Sequence, residues 1–346
     1  MSSILAPRRL PRCARSAATP CPRSPRRPLC SNASASRPQV IFSGIQPTGI
    51  PHLGNYLGAM QQWVKLQNDA APSTNLIFSI VDLHAITRTQ QPEQLRQWRK
   101  EMLASLLAVG LDPKRSIIFN QSASKSSAEK DPKLGLFSYP VLQAADILVH
   151  RATHVPVGED QAQHLEFARQ CAGSFNHSVG QRPVLLPPDT ILSPARRVMS
   201  LVRPEKKMAK SDENPKSRIL LNESSEQVRQ KIKGAKTDSI EGVSYEPDRR
   251  PGVSNLLEIM FYLEAGEEGA PASCDELAQD CKDLSMRAFK ERVMDVVDRR
   301  LAPMRDRYAE LIQADSVLED VAEEGARKAR ESASVTIKEV KEAVGL

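Results

Sequence analysis

The sequence predicts an α/β protein, with a parallel sheet covered by helices and an all-helical C-terminal region after it. Two observations carry this. Short apolar runs at Val40-Ile41-Phe42, Leu76 to Val81 and Ile117-Ile118-Phe119 alternate with helical patterns, as in a sheet buried on both faces. From about Leu220 strand-like runs stop and charge-rich helical periods take over. With 346 residues, 40% of them apolar, the chain has room for two domains with real cores. No run approaches the roughly 18 apolar residues that span a bilayer, so no membrane partner is expected.

The net charge of +6 is misleading. Residues 1–40 hold eight arginines and neither a lysine nor an acid, so the remainder is slightly acidic. A case for nucleic acid must therefore be made locally. The segment 1–38 is rich in Arg, Ser and Ala, which is the composition of an organellar transit peptide leading to the mitochondrial matrix. Its prolines argue against a clean amphipathic helix, and the other reading is a basic tail that stays on and binds RNA. Outside it stand only Cys171, Cys274 and Cys281, without a CxxC pair. That excludes a disulfide framework and a zinc site, and it fits a reducing compartment.

In chain order, the first strand runs into Phe42 to Gly58, which turns on Gly44, Pro47, Gly49 and Pro51 and becomes helical near Asn55. Strand, glycine-rich turn and helix N-terminus together favour an anion, and His52 and Asn55 add donors. The second strand ends at Asp82, Leu83 and His84. Pro92 starts a helix whose inner face is Leu95, Trp98, Met102 and Leu106, with Gly110 beyond its end. The third strand ends at Asn120 and Gln121, and a polar loop, 121–135, follows. A helix from Tyr139 to His150 encloses one carboxylate, Asp146, among Ala144, Ala145, Ile147 and Leu148. Val155 to Val157 is extended, Gln161 to Ala172 is helical, and the proline-rich stretch 182–194 is expected to be irregular. The loop from Arg196 to Arg218 has eight basic residues against three acidic ones. Helices follow at 223–236, 253–264, 274–314 and 316–344, with the domain division placed between 39–220 and 221–346.

Lys207, Lys210 and Ser211 lie on that loop. Two lysines three apart beside a hydroxyl suit a polyphosphate whose charge grows as a bond to phosphorus breaks. A loop lets them close and release. Alone, such a cluster is more often a solvated surface.

Paired in order with Pro47-Thr48-Gly49-x-x-His52-x-Gly54-Asn55, the run Lys207-Met208-Ala209-Lys210-Ser211 resembles the two signatures of class I aminoacyl-tRNA synthetases. SGIQPTG at 43–49, AADIL at 144–148, VGEDQ at 157–161 and VMSL at 198–201 narrow this to a resemblance to tryptophanyl-tRNA synthetases of the bacterial and organellar kind, from about Val40 to Leu346. The resemblance implies a Rossmann-like catalytic domain, a helical anticodon-binding domain, and homodimers. It implies the reaction of L-tryptophan with ATP and Mg²⁺ to an adenylate, then transfer to tRNA(Trp). It assigns ATP contacts to Gln46, Pro47, Thr48, Gly54, Asn55, Gly158, Glu159, Asp160 and Val198, and to the loop Lys207, Met208, Ala209, Lys210 and Ser211, where Ala209 replaces the commoner serine. Catalytic roles fall to His52, Asn55, Lys207, Lys210 and Ser211. Asp146 would read the indole N–H between walls of Phe42, Val155 and Val157, with Gln161 closing the pocket. The physics agrees, since indole has one donor and no acceptor, and a buried acceptor rejects side chains that cannot pair with it.

One departure stands out. Between Gln121 and Leu134 the family carries a few dozen more residues, including a lysine for the triphosphate. Here only Lys125, Lys130 and Lys133 are candidates to replace it. A second reading is therefore a catalytically impaired, synthetase-like RNA-binding protein, and a third is a tyrosyl enzyme. Arg229, Lys231, Lys233 and Lys236 form a local basic run suited to RNA phosphates. The run PGVSNLL at 251–257 matches a family loop without an evident chemistry.

Overall fold

The sheet grows outward from β1 (Val40–Ile45), whose Ile41 and Phe42 are buried on its opposite faces. The computed structural model describes residues 38–86, 90–124, 135–158, 161–180, 183–192 and 197–346. Five parallel strands lie in the order β3-β2-β1-β4-β5, with β2 (Asn75–Ile80), β3 (Ile117–Asn120), β4 (His154–Val157) and β5 (Asp189–Leu192). Val40 pairs with Asn75 and Ile45 with Ile80, so β1 and β2 end level. The order reverses between β1 and β4, the position at which parallel sheets open a crevice for ligands.

Short helices and turns carry the chain off the strand ends. After β1 come α1 (Leu53–Asn55), a π-helical turn (Tyr56–Met60) and α2 (Gln61–Asp69). After β2 come α3 (Asp82–Ala85) and α4 (Pro92–Ala108). Met102 and Leu106 are buried in the core as expected, but Leu95 and Trp98 are only half-buried, because the first half of α4 runs past the core's edge. After β3, Gln121–Ser124 forms α5 where a loop was expected, and α6 (Gly135–Val149) starts before Tyr139. The helix α7 (Ala162–Val179) then leads to β5.

Two expectations fail on local chemistry. The stretch 182–194 is not irregular throughout, for it contains β5. The prolines Pro187 and Pro188 precede the strand without interrupting it, and β5 is an edge strand, where flanking prolines cost no ladder bond. The helix expected over 274–314 is two helices, α10 (Cys274–Cys281) and α11 (Met286–Gln313). Ser285 restarts it, its hydroxyl accepting from the Ala288 N–H at 3.2 Å.

With α8 (Ser225–Lys233), α9 (Pro251–Glu264) and α12 (Asp315–Val344), these helices complete the chain. One hydrophobic core joins Ile41, Leu57, Phe78 and Leu106 to Leu256, Phe289, Val297 and Leu318, so it crosses the sequence boundary near 220. Residues 38–346 form one compact unit. The C-terminal helix α12 covers β3 at Gly325, where a Cβ would lie 1.8 Å from the carbonyl oxygen of Ile118. Arg330 Nη1 donates to the Ala123 carbonyl at 2.6 Å, and Arg151 pairs with Glu339 at 2.6 Å. Among the described residues no helix is long and apolar enough to cross a membrane.

The close approach at Gly325 sets a test. Gly325→Ala should lower the thermal midpoint, losing about 1–3 kcal/mol of stability or more, as overpacking does. Gly173→Ala, on α7 with no atom within 4 Å of the new Cβ, should instead gain about 0.5–1 kcal/mol, as replacing a helical glycine does. Calorimetric melts of both variants measure the contrast.

Candidate active site

The crevice beside β1 is a cavity of about 710 Å³. Phe42 and Ser43 come from β1, Val155 to Val157 from β4, and His84 from α3. Gln143, Asp146 and Ile147 come from α6, and Gly58, Ala59 and Trp63 close the side toward α2. Trp63 is fixed by stacking on Phe78, ring centroids 5.1 Å apart. The expected residues Phe42, Gln46, Thr48, Asp146, Val155, Val157, Gly158 and Gln161 thus line a single cavity.

Asp146 is 5% exposed, and a carboxylate so buried needs partners. His84 Nε2 lies 3.2 Å from its Oδ2, and Gln121 Nε2 donates to the same oxygen. Sequence reasoning did not place His84 and Gln121 in the site. The only signal was that both stand at C-terminal strand ends. Gln121 also accepts from the Leu83 N–H at 3.0 Å, and Asp82 receives the Ser122 N–H at 2.9 Å, so α3 and α5 are tied together beneath Asp146. Across the cavity Gln143 Nε2 reaches Gln161 Oε1 at 3.5 Å.

The other end of the site is made by the two distant loops. The Leu53 N–H donates to the Ile219 carbonyl at 2.8 Å and the Leu221 N–H to the Pro51 carbonyl at 3.0 Å. Lys210 Nζ donates to the Gly49 carbonyl at 2.7 Å and to Thr48 Oγ1 at 3.3 Å. Burial, opposed by Glu101, brings the Lys210 ammonium down to about 8. His52 caps α1: its Nδ1 accepts from the Asn55 N–H at 3.3 Å, and Asn55 Oδ1 accepts from the His52 N–H at 3.1 Å. Burial first, then Lys210, Arg218 and Lys207, push the His52 imidazole down to about 3. It is therefore neutral and acts through hydrogen bonds, not charge. At Gly54 a Cβ would stand 3.0 Å from the His52 ring and 3.6 Å from Val198 Cβ, so a side chain there would intrude between the two loops.

The remaining expected residues divide. Pro47, Val198 and Met208 are buried, and Ala209 is half-buried. Lys207 is exposed, its backbone bridged to Met199. Ser211 is exposed and borders a separate hollow with Arg203 and Asp212. Glu159, Asp160, Lys125, Lys130 and Lys133 lie outside the described residues, as does the expected transit peptide up to residue 37. The basic run is not uniformly offered to solvent. Lys231 is consumed internally by Glu223 and the Arg218 carbonyl, and Arg229 pairs with Asp295, while Lys233 and Lys236 are exposed.

A sequence model of the class I tRNA synthetases for tryptophan and tyrosine matches residues 34–129 and 123–302. The mitochondrial tryptophan–tRNA ligase of Schizosaccharomyces pombe is 40% identical, over 88% of this chain and 95% of its own length. The chain belongs to the class I tryptophanyl-tRNA synthetases. Among solved structures, the tryptophanyl-tRNA synthetase of Mycoplasma pneumoniae superposes with a TM-score of 0.74 at 29% identity, covering 89% of this chain and 98% of that one. The Campylobacter jejuni enzyme, in complex with ADP and tryptophan, gives 0.71 at 28% identity over 89% of this chain and all of its own. The tyrosyl reading is set aside by these relatives. The fission-yeast relative carries residues that this chain lacks. The fission-yeast alignment extends over 351 residues, longer than the whole chain of 346, although only 88% of the chain takes part. The two family matches overlap at 123–129.

His52 makes the site's acid stability testable. Its folded value of about 3 lies below the ordinary 6.5, so between these pH values only the unfolded chain binds the proton. Stability therefore falls as pH drops through that window. His52→Asn keeps an acceptor for the Asn55 N–H and removes the titration. Its acid-unfolding midpoint, followed by circular dichroism, should move to lower pH than that of the parent.

Proposed function

We propose that this protein attaches L-tryptophan to tRNA(Trp) through tryptophanyl-adenylate, as a homodimer in the mitochondrial matrix, with ATP arriving as its Mg²⁺ complex. The observation that carries this reading is Asp146, a buried carboxylate held by His84 and Gln121 in the wall of the cavity, beside the apolar Phe42, Ile147, Val155 and Val157. Indole offers one N–H, and a desolvated acceptor charges a large penalty to any side chain without one. Phe42, Val155 and Val157 supply the apolar walls.

In the first step a carboxylate oxygen of tryptophan attacks the α-phosphorus of ATP. The bond to the bridging oxygen breaks, and pyrophosphate leaves with the electron pair. The requirement is position and cation, not covalent help. Lys210 already rests on Thr48 and Gly49, where a triphosphate lying over the first loop would meet it. Lys207 and Ser211 stand on the same loop. Gly158, Glu159 and Asp160 would hold the ribose and Val198 the adenine. In the second step the terminal ribose hydroxyl of tRNA(Trp) attacks the carbonyl carbon of the adenylate and AMP departs. The exposed Lys233 and Lys236 suit the RNA backbone. The mitochondrial assignment follows the fission-yeast relative and the acid-free Arg-rich leader.

One observation favours the second reading, an impaired synthetase-like protein: the residues that the relatives carry and this chain lacks. Tryptophan-dependent ATP–pyrophosphate exchange separates the two. Exchange above background is expected, and none from a folded protein would leave only the impaired form. Asp146→Ala should lower kcat/KM for tryptophan by about 10- to 150-fold, the equivalent of a hydrogen bond to a charged group. Near-wild-type kinetics in that variant would refute the indole assignment.

Lys210 adds a pH signature. Its ammonium loses its proton near pH 8, so kcat/KM for ATP should fall as pH rises through that value. Lys210→Arg should abolish this basic limb, and a limb that persists would belong to another group.

A further inference from the structure

The run Pro251-Gly252-Val253-Ser254-Asn255-Leu256-Leu257 is not a loop; it is the first two turns of α9. Val253, Leu256 and Leu257 are core residues at 0%, 1% and 0% exposure. Asn255 sits among them at 3% exposure, where an amide is costly unless both its ends are paired. Both are paired, and to one residue. Asn255 Oδ1 accepts from the Met199 N–H at 2.8 Å, and Asn255 Nδ2 donates to the Met199 carbonyl at 3.1 Å. The side chain holds this residue as a neighbouring strand would.

What hangs on Met199 gives the contact its meaning. On one side, the Val198 carbonyl accepts from the Met208 N–H at 2.9 Å. On the other, the Ser200 N–H donates to the Lys206 carbonyl at 2.8 Å. The short strand 206–208 that leads into the lysine loop is thus tied on both sides of Lys207 to the residues flanking Met199, and Lys210 follows two residues after Met208. Val198 faces Gly54 of the first loop.

The support behind Asn255 is rigid. Arg250, only 1% exposed, stands immediately before α9. It donates to Asp238 through Nε and Nη2, to Ser244 Oγ through Nη1, and to the Ile240 and Gly242 carbonyls. Ser254 Oγ accepts from the Glu246 N–H at 3.0 Å. Two residues of the turn are thus anchored to the segment 238–250, and the next residue reaches out to Met199.

We propose that Asn255 is a positioning residue for the nucleotide, which fixes Met199 and thereby sets the strand 198–200 and the strand 206–208 that leads into the lysine loop. The proposal rests on the reading of Val198 and Lys210 as ATP contacts. It assigns Asn255 no part in holding tryptophan, since Asp146, His84 and Gln121 are tied to one another and not to α9. Through this contact α9 acts on one substrate and not the other.

The experiment is tryptophan-dependent ATP–pyrophosphate exchange by the full chain, with each substrate varied in turn. Asn255→Ala and Asn255→Asp are compared with Ser254→Ala, which removes a bond one residue away. Asn255→Asp keeps the size of the side chain and the acceptor for the Met199 N–H, and supplies a folded variant if the alanine fails. Asn255→Ala, which loses both bonds, should raise KM for ATP about tenfold or more, and Asn255→Asp, which loses the bond to the Met199 carbonyl, about threefold to tenfold, with KM for tryptophan within about twofold in both. Ser254→Ala should lower the melting point without that split. Equal shifts in both KM values, or an unchanged KM for ATP in a folded Asn255 variant, overturn the proposal. An unmodified chain without exchange overturns the functional reading instead. The structural claim is then decided by hydrogen–deuterium exchange over 197–203, which Asn255→Asp must accelerate. Equal protection in parent and variant overturns it.

Discussion

Everything in the site depends on one short piece of backbone pairing, the antiparallel bridge that joins His52 to Leu220. Its bonds run from the Leu53 N–H to the Ile219 carbonyl and from the Leu221 N–H to the Pro51 carbonyl. They bring a strand-to-helix turn against a basic loop that lies far down the chain. Without them, the helix N-terminus and the lysines would be two weak anion sites; together they bring Lys210 onto Thr48 and Gly49 of the first loop. The pairing also explains His52. Held beneath Lys210, Lys207 and Arg218, a protonated imidazole would add buried like charge to a cationic site. The ring stays neutral and caps α1, which leaves the lysines as the site's cations.

The two ends of the site are built differently, and their chemistry explains why. Asp146 must be a fixed acceptor, so it sits on a helix, buried, with its donors on α3 and α5. Specificity through an unmet hydrogen bond requires that the acceptor cannot turn elsewhere. The lysines must admit and release a large anion, so they sit on a loop. A loop has no helix to define its geometry, and here the definition is borrowed from α9, through the amide of Asn255.

Much of the architecture was legible in the sequence, because β1, β2 and β3 are apolar runs closed by turn residues, and the lysine loop and first signature are local patterns. The unreadable parts have physical reasons. The strand β5 is four residues long and follows two prolines, so its local composition speaks for a loop; only its pairing with β4 makes it a strand. The apolar period runs through 282–285, and a single serine cap divides α10 from α11. Lys231 looked like its basic neighbours because charge is visible in sequence and its partner Glu223 is not. His84, Gln121 and Asn255 were missed for the same reason: each acts on a residue at least 25 positions away. Of the ATP contacts implied by resemblance, those marked by glycine, proline or lysine patterns were visible as chemistry, while Val198 was not, since a buried valine looks like core.

The shortened segment bears on catalysis through where its ends are held. Gln121 on α5 precedes it and Asp146 on α6 follows it, and the hydrogen bond between them crosses the gap. The nearer end has further anchors: Asp82 receives Ser122, and Arg330 of α12 holds the Ala123 carbonyl. The strand leading into it is covered by α12 at Gly325. None of these contacts uses a residue of 125–134. Removing residues between such anchors changes what lies beyond them and leaves Asp146, the proposed acceptor for the indole, where α3, α5 and α6 put it. On the proposed reading, the cationic work at the nucleotide is then left to Lys207 and Lys210.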